Sequence, residues 1–375
     1  MRLFAIALPA ATFSLLLLGA TQGYGTVVPF VGIEQIGKPV LRIVIALPVA
    51  YLLPGELPLT MAWLVPSLFG PAASWIALRH CRSRYRERRT SFDACLAAPS
   101  WRDFWSFATP RAFSSIFDIS ATWVGVLLLS ALSTVPEAGI FTAVGRVITA
   151  GALLQLAVRL SVAPLISRML ALQELADARD LHRISTCWVV LFSWPVYTLI
   201  ACFPRSVLSV FGQDFVTGAS ALQVLCLASI INVAIGNSQT VLLMAGKSSW
   251  HLLVTAVSFS IQIVFGIFAV HAWGILGAAL SWGSAIIVEN FAAALIIKYT
   301  LGFKILDRSH AYALIISLII TPMLLIAHVL IGDSLAALGI GSIAAIVVFT
   351  SLTWRYSGPL AINGLIGVLR SRTRR

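Results

Sequence analysis

The sequence predicts an all-α, polytopic transmembrane helix bundle of about eleven spans. Hydrophobic residues occupy 59% of its 375 positions and charged residues only 11%, whereas a soluble domain carries about 25% charged residues on its solvated surface. Apolar runs recur along the whole chain, and each is close to the roughly 20 residues that a helix needs to cross a bilayer. Runs such as 311–331 and 335–354 are continuous instead of alternating, which favours helices over strands.

Short turns separate most of the predicted helices. Thr109-Pro110 predicts the start of the fourth helix, because a Thr cap followed by Pro at the first helical position is a favoured entry. Pro136 precedes the fifth helix, and Phe211-Gly212-Gln213-Asp214 separates the sixth from the seventh. The predicted spans are 3–28, 37–53, 57–78, 108–131, 138–166, 185–203, 219–245, 250–271, 273–297, 311–331 and 335–354.

The formal net charge is +12, and the basic residues are distributed as the topology of the membrane spans requires. If the Arg-rich loop 79–104 is cytoplasmic, alternation of sides places 21 of the 26 Lys and Arg residues in cytoplasmic segments. Only Arg2 and Arg205 then lie outside. This asymmetry is a positive-inside signal, so we exclude nucleic acid as the partner and expect a multi-pass protein of the cell membrane with a cytoplasmic C-terminus.

This orientation places Met1 on the outer side of the membrane. Treating the first apolar run as a signal peptide would export the Arg cluster at 79–89, which is a larger violation of the positive-inside rule than an external Arg2. The simpler expectation is that the chain begins partway through a longer gene product.

Residues 1–80 and 219–300 share a layout, which predicts an internal repeat. Each segment has a long span, a short Gly-Lys loop (Gly37-Lys38 and Gly246-Lys247), a second span, a tight turn and a third span. Membrane transporters are often built from duplicated halves with the substrate site between them.

The order of several motifs over about 200 residues resembles the second six-helix lobe of the multidrug/oligosaccharidyl-lipid/polysaccharide (MOP) exporter superfamily. Its polysaccharide-transporter, or O-antigen-type, flippases are the most similar branch. The motifs are DFWSFATP at 103–110, PEAGIF at 136–141, AVGR at 143–146, APLISR at 163–168, VFGQDF at 210–215, LMAGK at 243–247 and WGILGAAL at 273–280.

The resemblance implies a two-lobe transporter in which the first three helices of the N-terminal lobe are absent from this sequence. Residues 1–80 would form the back half of that lobe, 81–104 a basic cytoplasmic linker, 105–300 the C-terminal lobe, and 301–375 two extra helices with a basic tail. The implied activity is alternating-access flipping of a lipid-linked (polyprenyl-diphosphate) oligosaccharide for cell-surface polysaccharide synthesis. H⁺ or Na⁺ is the candidate coupling ion, and no cofactor is implied.

Charged residues inside spans are candidates for function, because burying a charge in lipid is costly. The candidates for substrate binding are Arg146, Asp118, Arg159 and Arg111. Asp118 lies roughly 12 Å into the fourth span by rise per residue, and Arg146 enters the fifth to a similar depth from the opposite side. A cationic cavity would suit a lipid diphosphate, whose oxygens pair with Arg.

Each candidate also has a structural interpretation. Arg111 and Arg159 can extend to the cytoplasmic interface, and Asp118 and Arg146 can form an ion pair between helices. Glu289-Asn290 is interpreted as helix packing. The histidines and five of the eleven tryptophans are interpreted as interfacial, and neither the histidines nor the five cysteines have metal-ligand spacing.

Two other functions remain open from the sequence. A multidrug/cation antiporter of the same superfamily would favour acidic cavity groups, whereas three of the in-span charges are Arg. A membrane-embedded glycan polymerase or glycosyltransferase usually has a long loop with paired acids, and the longest loop here, 79–104, is basic. We therefore predict a transporter and no enzyme.

Overall fold

The computed structural model describes residues 2–24, 26–53, 55–88, 100–303, 321–326, 328, 329 and 332–355. Its contacts divide the chain into two compact units, Met1–Pro99 and Ser100–Arg375. The division falls inside the segment predicted as a linker, although α4 continues helically to Arg88. The four-domain assignment and the internal repeat remain predictions.

Every regular element of the described residues is helical, as the sequence predicts. Unit 1 contains α1 (Arg2–Gly23), α2 (Val28–Phe30), a π-helical segment (Val31–Gly37), α3 (Lys38–Leu52) and α4 (Glu56–Arg88). Unit 2 contains α5 (Trp101–Leu132), α6 (Val135–Gly151), α7 (Leu153–Ala171), α8 (Leu175–Cys202), α9 (Pro204–Ser209), a 3₁₀ segment (Gln213–Gly218), α10 (Ala219–Ile235), α11 (Ser238–Met244), α12 (Ser248–Leu301) and α13 (Leu335–Arg355).

Within the described residues, six helices are long and apolar enough to cross a membrane. They are Leu57–Ser83, Trp101–Leu132, Leu153–Ala171, Leu175–Cys202, Gln213–Ile235 and Ser248–Leu301. Large apolar side chains such as Ile119 and Leu127 on α5 are exposed, whereas Leu129 on the same helix is fully buried in the core of unit 2. An apolar surface of this kind suits a helix bundle in lipid.

The longest helix, α12, is a hairpin of two antiparallel arms. Gly274, with a φ of 51°, interrupts the helical geometry. Contacts then pair Gly266 with Ser281 and Thr255 with Glu289 across the two arms. The arms match the predicted spans 250–271 and 273–297.

The predicted start of the fourth span is wrong. Helix α5 begins at Trp101, seven residues before the predicted position, and Pro110 lies inside it. Ser100 is the N-cap: its hydroxyl accepts from the Asp103 backbone N–H, and the Asp103 carboxylate accepts from the Ser100 backbone N–H. This capping box satisfies two of the free donors of the first turn, so it determines the start better than Thr109 does.

The predicted Gly37-Lys38 loop is also wrong. Gly37 ends a π-helical segment that continues directly into α3. Without a Cβ, Gly37 can lie against the carbonyl of Gly32, a contact that the wider π-helical turn creates. Helix α1 ends at Gly23 and α2 begins at Val28, before the π-helical segment, so Lys38 and Arg42 belong to a helix and not to a loop.

Two other predicted spans are interrupted. The span 138–166 consists of α6 and α7, which meet at Ala152, and the span 219–245 consists of α10 and α11, which meet at Gly236 and Asn237. Most of the predicted span 311–331 lies outside the described residues, while 335–354 corresponds to α13.

Candidate functional site

The α12 hairpin brings polar side chains from its two arms together inside unit 2. His251 and Thr255 lie one turn apart near the start of the first arm, and Glu289 faces them from the second. The Thr255 hydroxyl donates to the His251 carbonyl at 2.9 Å and lies 3.4 Å from Glu289 Oε1. The same hydroxyl lies 3.5 Å from His251 Nδ1.

Helix α5 contributes an ion pair at the same place. Arg111 and Asp118 are seven residues apart, so their side chains extend from nearly the same helix face. Arg111 Nη1 lies 3.5 Å from Asp118 Oδ2, with 41% and 37% of the two side chains exposed. The Arg111 guanidinium also lies 3.4 Å from the Ser114 hydroxyl.

Asp118, His251 and Glu289 form an acidic cluster that could hold a cation. One ligand atom from each residue lies within 4.8 Å of the others. Two carboxylates and an imidazole can bind a proton, and their oxygens can also coordinate a hard cation. Linear spacing gave no indication of such a site, because its members come from α5 and from both arms of α12.

Arg159 connects this cluster to a cavity of about 290 Å³. Its guanidinium acts electrostatically on Asp118, and its side chain lines the cavity in the second turn of α7. Five side-chain amides share the lining: Gln155, Asn232, Asn237, Gln239 and Asn290. The Gln239 side chain also lies close enough to the Glu289 carboxylate to interact with it, so the cavity and the acidic cluster are neighbours.

Arg146 lies apart from the other three predicted residues. Its side chain lines a small pocket of about 60 Å³ together with Trp123, Thr142 and Trp282. Among the described residues, Asp118 forms its ion pair with Arg111, and none of the ion pairs includes Arg146. The structure therefore brings together Arg111, Asp118 and Arg159, and the binding role of all four residues remains a prediction.

Sequence reasoning missed His251 and Glu289. Glu289 is an acid inside a predicted span and so carried a signal of function, but it was interpreted as helix packing. His251 lies two residues after the predicted end of a loop and was interpreted as interfacial. The hairpin places both beside Asp118, and this proximity is a tertiary property.

The chain shares sequence or structure with proteins named as transporters, and no family model matches it. A probable low-salt glycan biosynthesis flippase, Agl15 of Haloferax volcanii, is 23% identical over 260 residues, which cover 68% of this chain and 54% of that protein. The chain thus spans about half the length of this curated relative.

Two crystal structures of the Vibrio cholerae MATE transporter VcmN have a similar fold. The bent form aligns with a TM-score of 0.58 at 16% identity, covering 81% of this chain and 68% of the transporter. A single-residue variant aligns with a TM-score of 0.56 at the same identity, covering 80% and 67%.

The fold and the polar site inside it define a multi-pass α-helical membrane protein with a transporter architecture. Both relatives are members of one superfamily. The similarity to a glycan flippase and to the fold of a MATE transporter agrees with the resemblance to the MOP exporter superfamily that the motifs indicate.

Proposed function

We propose that the chain moves a lipid-linked oligosaccharide across the cell membrane by alternating access. The observation that carries this proposal is the cavity of unit 2, where the Arg159 guanidinium lies beside five amide side chains. Guanidinium groups bind phosphate oxygens through paired hydrogen bonds. Amides can donate to and accept from sugar hydroxyls. A polyprenyl-diphosphate sugar offers both groups in one molecule.

The similarity to a glycan flippase supports the same substrate class. It covers 260 residues of this chain, and that protein is named for glycan biosynthesis. These relatives are named as a flippase and as a transporter, which favours transport over enzyme chemistry.

The acidic cluster is the proposed site of the coupling ion, H⁺ or Na⁺. Asp118, His251 and Glu289 lie within 4.8 Å of one another beside the cavity. Binding of a cation there would reduce the repulsion between the two carboxylates. It would also change the interaction of the Glu289 carboxylate with Gln239. The cluster and the cavity would thus respond to each other.

Translocation by the full chain in proteoliposomes tests the substrate. The probe is a fluorescent polyprenyl-diphosphate disaccharide, and an impermeant glycosidase reports how much of it reaches the outer leaflet. Arg159→Ala and Arg159→Lys should each slow translocation about tenfold or more, because a charge-assisted contact contributes about 1.5–3 kcal/mol. Lys retains the charge but lacks the paired donors.

Arg168→Ala is the matched control, since Arg168 lies in the last turn of the same helix and does not line the cavity. Its translocation rate should stay within about twofold of the wild type. Absence of glycolipid translocation by the wild type would contradict the substrate. Unchanged rates for both Arg159 variants would contradict the role of Arg159 alone.

A multidrug/cation antiporter is the second candidate, and the acidic cluster is the observation that favours it. Such a transporter would export a cationic dye against an ion gradient and leave the glycolipid in place. In the same proteoliposomes, dye export that Glu289→Gln abolishes, without glycolipid translocation, would support this candidate over the flippase.

A further inference from the structure

The cavity of unit 2 lies between two interrupted membrane helices. Helices α6 and α7 meet at Ala152 on one side, and α10 and α11 meet at Gly236 and Asn237 on the other. The Tyr197 hydroxyl donates to the Ile148 carbonyl at 3.3 Å beside the first interruption. Transporters expose irregular backbone within a membrane where it lines a binding cavity.

Gly236 makes the second interruption possible. Its φ of 83° is a left-handed conformation that favours glycine. A Cβ at this position would lie 2.5 Å from the Thr186 hydroxyl oxygen on α8. The chain therefore leaves the helical path at a point where only a glycine fits, and this directs Asn237 to the cavity.

Two of the cavity amides have unsatisfied groups. Asn237 is 7% exposed, and its side-chain Nδ2 has no hydrogen-bond partner among the described residues. The buried Oδ1 of Asn232, five residues earlier on α10, likewise has none in the part of the chain that the structure describes. A buried amide group without a partner costs about 1–3 kcal/mol, so such groups are retained where a ligand or water satisfies them.

A free donor and a free acceptor on residues that line the same cavity match a hydroxyl group, which offers both functions. A sugar hydroxyl can accept a hydrogen bond from Asn237 Nδ2 while its own O–H donates one to Asn232 Oδ1. The cavity volume of about 290 Å³ is at the lower end of small-molecule sites, so it suits a single sugar residue better than an oligosaccharide. Asn290, 9% exposed, adds a third amide from the second arm of α12.

We propose that this cavity is a monosaccharide subsite, in which Asn232 and Asn237 bind hydroxyl groups of one sugar residue of the lipid-linked glycan. The inference rests on the proposed flippase function and adds to it a site inside one lobe that recognises the sugar independently of the phosphates. Arg159 lies at the same cavity and contacts the anionic part. Sugar recognition and anion recognition thus belong to different residues.

Equilibrium binding to the purified full chain separates the two. The probes are a short polyprenyl diphosphate without a sugar and the same lipid carrying a hexose, an N-acetylhexosamine or a hexuronic acid. The wild type should bind at least one sugar-bearing probe about tenfold more tightly than the sugar-free lipid. Asn237→Ala and Asn232→Ala should each reduce that ratio about fivefold. Their affinity for the sugar-free lipid should not change, which also shows that they are folded.

Two further variants complete the design. Leu156→Phe adds bulk at the cavity wall and should abolish the sugar preference. Gln223→Ala is the matched control, because this amide lies on α10 outside the cavity and its Nε2 donates to the Ala201 carbonyl at 3.1 Å. Gln223→Ala should retain the full preference for the sugar.

Each result decides the proposal. Equal binding of all four probes by the wild type would overturn the subsite while leaving a lipid-diphosphate site. An unchanged sugar preference in Asn237→Ala and Asn232→Ala would show that those amides bind only water. Failure of the wild type to bind any probe would overturn the proposed flippase function and the subsite together.

Discussion

At the residue scale, the ion pair between Arg111 and Asp118 is the first feature to test. The two side chains are both partly exposed, so solvent screening limits the energy of the pair. However, Arg159 and His251 also lie near Asp118. Removal of one charge therefore changes the electrostatic environment of all these side chains.

A double-mutant cycle should therefore show coupling between Arg111 and Asp118. We expect Arg111→Ala and Asp118→Ala to destabilise the protein together by less than the sum of their separate effects. The expected coupling is about 1 kcal/mol, measured by thermal unfolding in detergent. The control cycle uses Asp180 and Arg183, a pair on α8 with a separation of 3.6 Å. A surface pair at i,i+3 should give only about 0.3 kcal/mol. Additive effects at Arg111 and Asp118 would show that their contact contributes nothing to stability.

At the element scale, the α12 hairpin depends on a close approach of its arms. A Cβ at Gly277 would overlap the backbone carbonyl of Ala269 in the opposite arm. The polar cluster lies further along the same two arms, so a change in their spacing moves His251 relative to Glu289.

Gly277→Ala should therefore destabilise the protein by more than about 2 kcal/mol in thermal unfolding, despite the higher helix propensity of Ala. Gly139→Ala is the matched control, because that helical glycine has open space around its missing Cβ. It should leave stability unchanged or raise it by about 0.5–1 kcal/mol. Equal stability of the two variants would mean that the arms are not in close contact.

The short helix α9 is capped by a residue more than a hundred positions later. Asp333 accepts hydrogen bonds from the backbone N–H groups of Arg205 and Ser206 at 3.0 Å each, and from the Ser206 hydroxyl. Pro204, at the first helical position, has no N–H to satisfy. The segment before α13 is thereby attached to the rest of unit 2.

Asp333→Ala should lower stability by about 1–2 kcal/mol, the usual effect of losing a helix cap. It should also increase cleavage by protease near residue 333. Asp214→Ala is the comparison, since the Asp214 side chain accepts none of the hydrogen bonds found among the described residues. Equally slow cleavage of both variants would show that the contact between Asp333 and α9 does not hold the C-terminal segment in place.

At the scale of the whole molecule, the membrane orientation remains a prediction from the positive-inside count. Cys81 and Cys95 lie in the Arg-rich segment 79–104, of which Cys95 is outside the described residues. Both should react with an impermeant thiol reagent only after the cells are permeabilised. A cysteine introduced at Val210, an exposed position directly after α9 and before the span Gln213–Ile235, should instead react in intact cells. Labelling of Cys81 from outside would show that every span has the opposite orientation to the one predicted.

The sequence by itself indicated the membrane class of this protein and its resemblance to the MOP exporter superfamily. Both depend on properties that can be read directly from the sequence: the length of the apolar runs, the scarcity of charged residues and the order of short motifs. The α12 hairpin could be predicted in the same way, because two full spans flank the Gly274 turn. The start of α5 could not, since the Ser100–Asp103 capping box and Thr109-Pro110 are competing local signals.

The tertiary structure alone decided which polar groups meet. Arg146 was a plausible partner for Asp118 by depth, yet Asp118 pairs with Arg111 and lies beside His251 and Glu289. Depth along a helix specifies only one coordinate, whereas contact also depends on helix rotation and on where a helix is interrupted. Gly236 and Gly274 set those angles through positive φ values, and their consequences appear only when the packed helices are seen together.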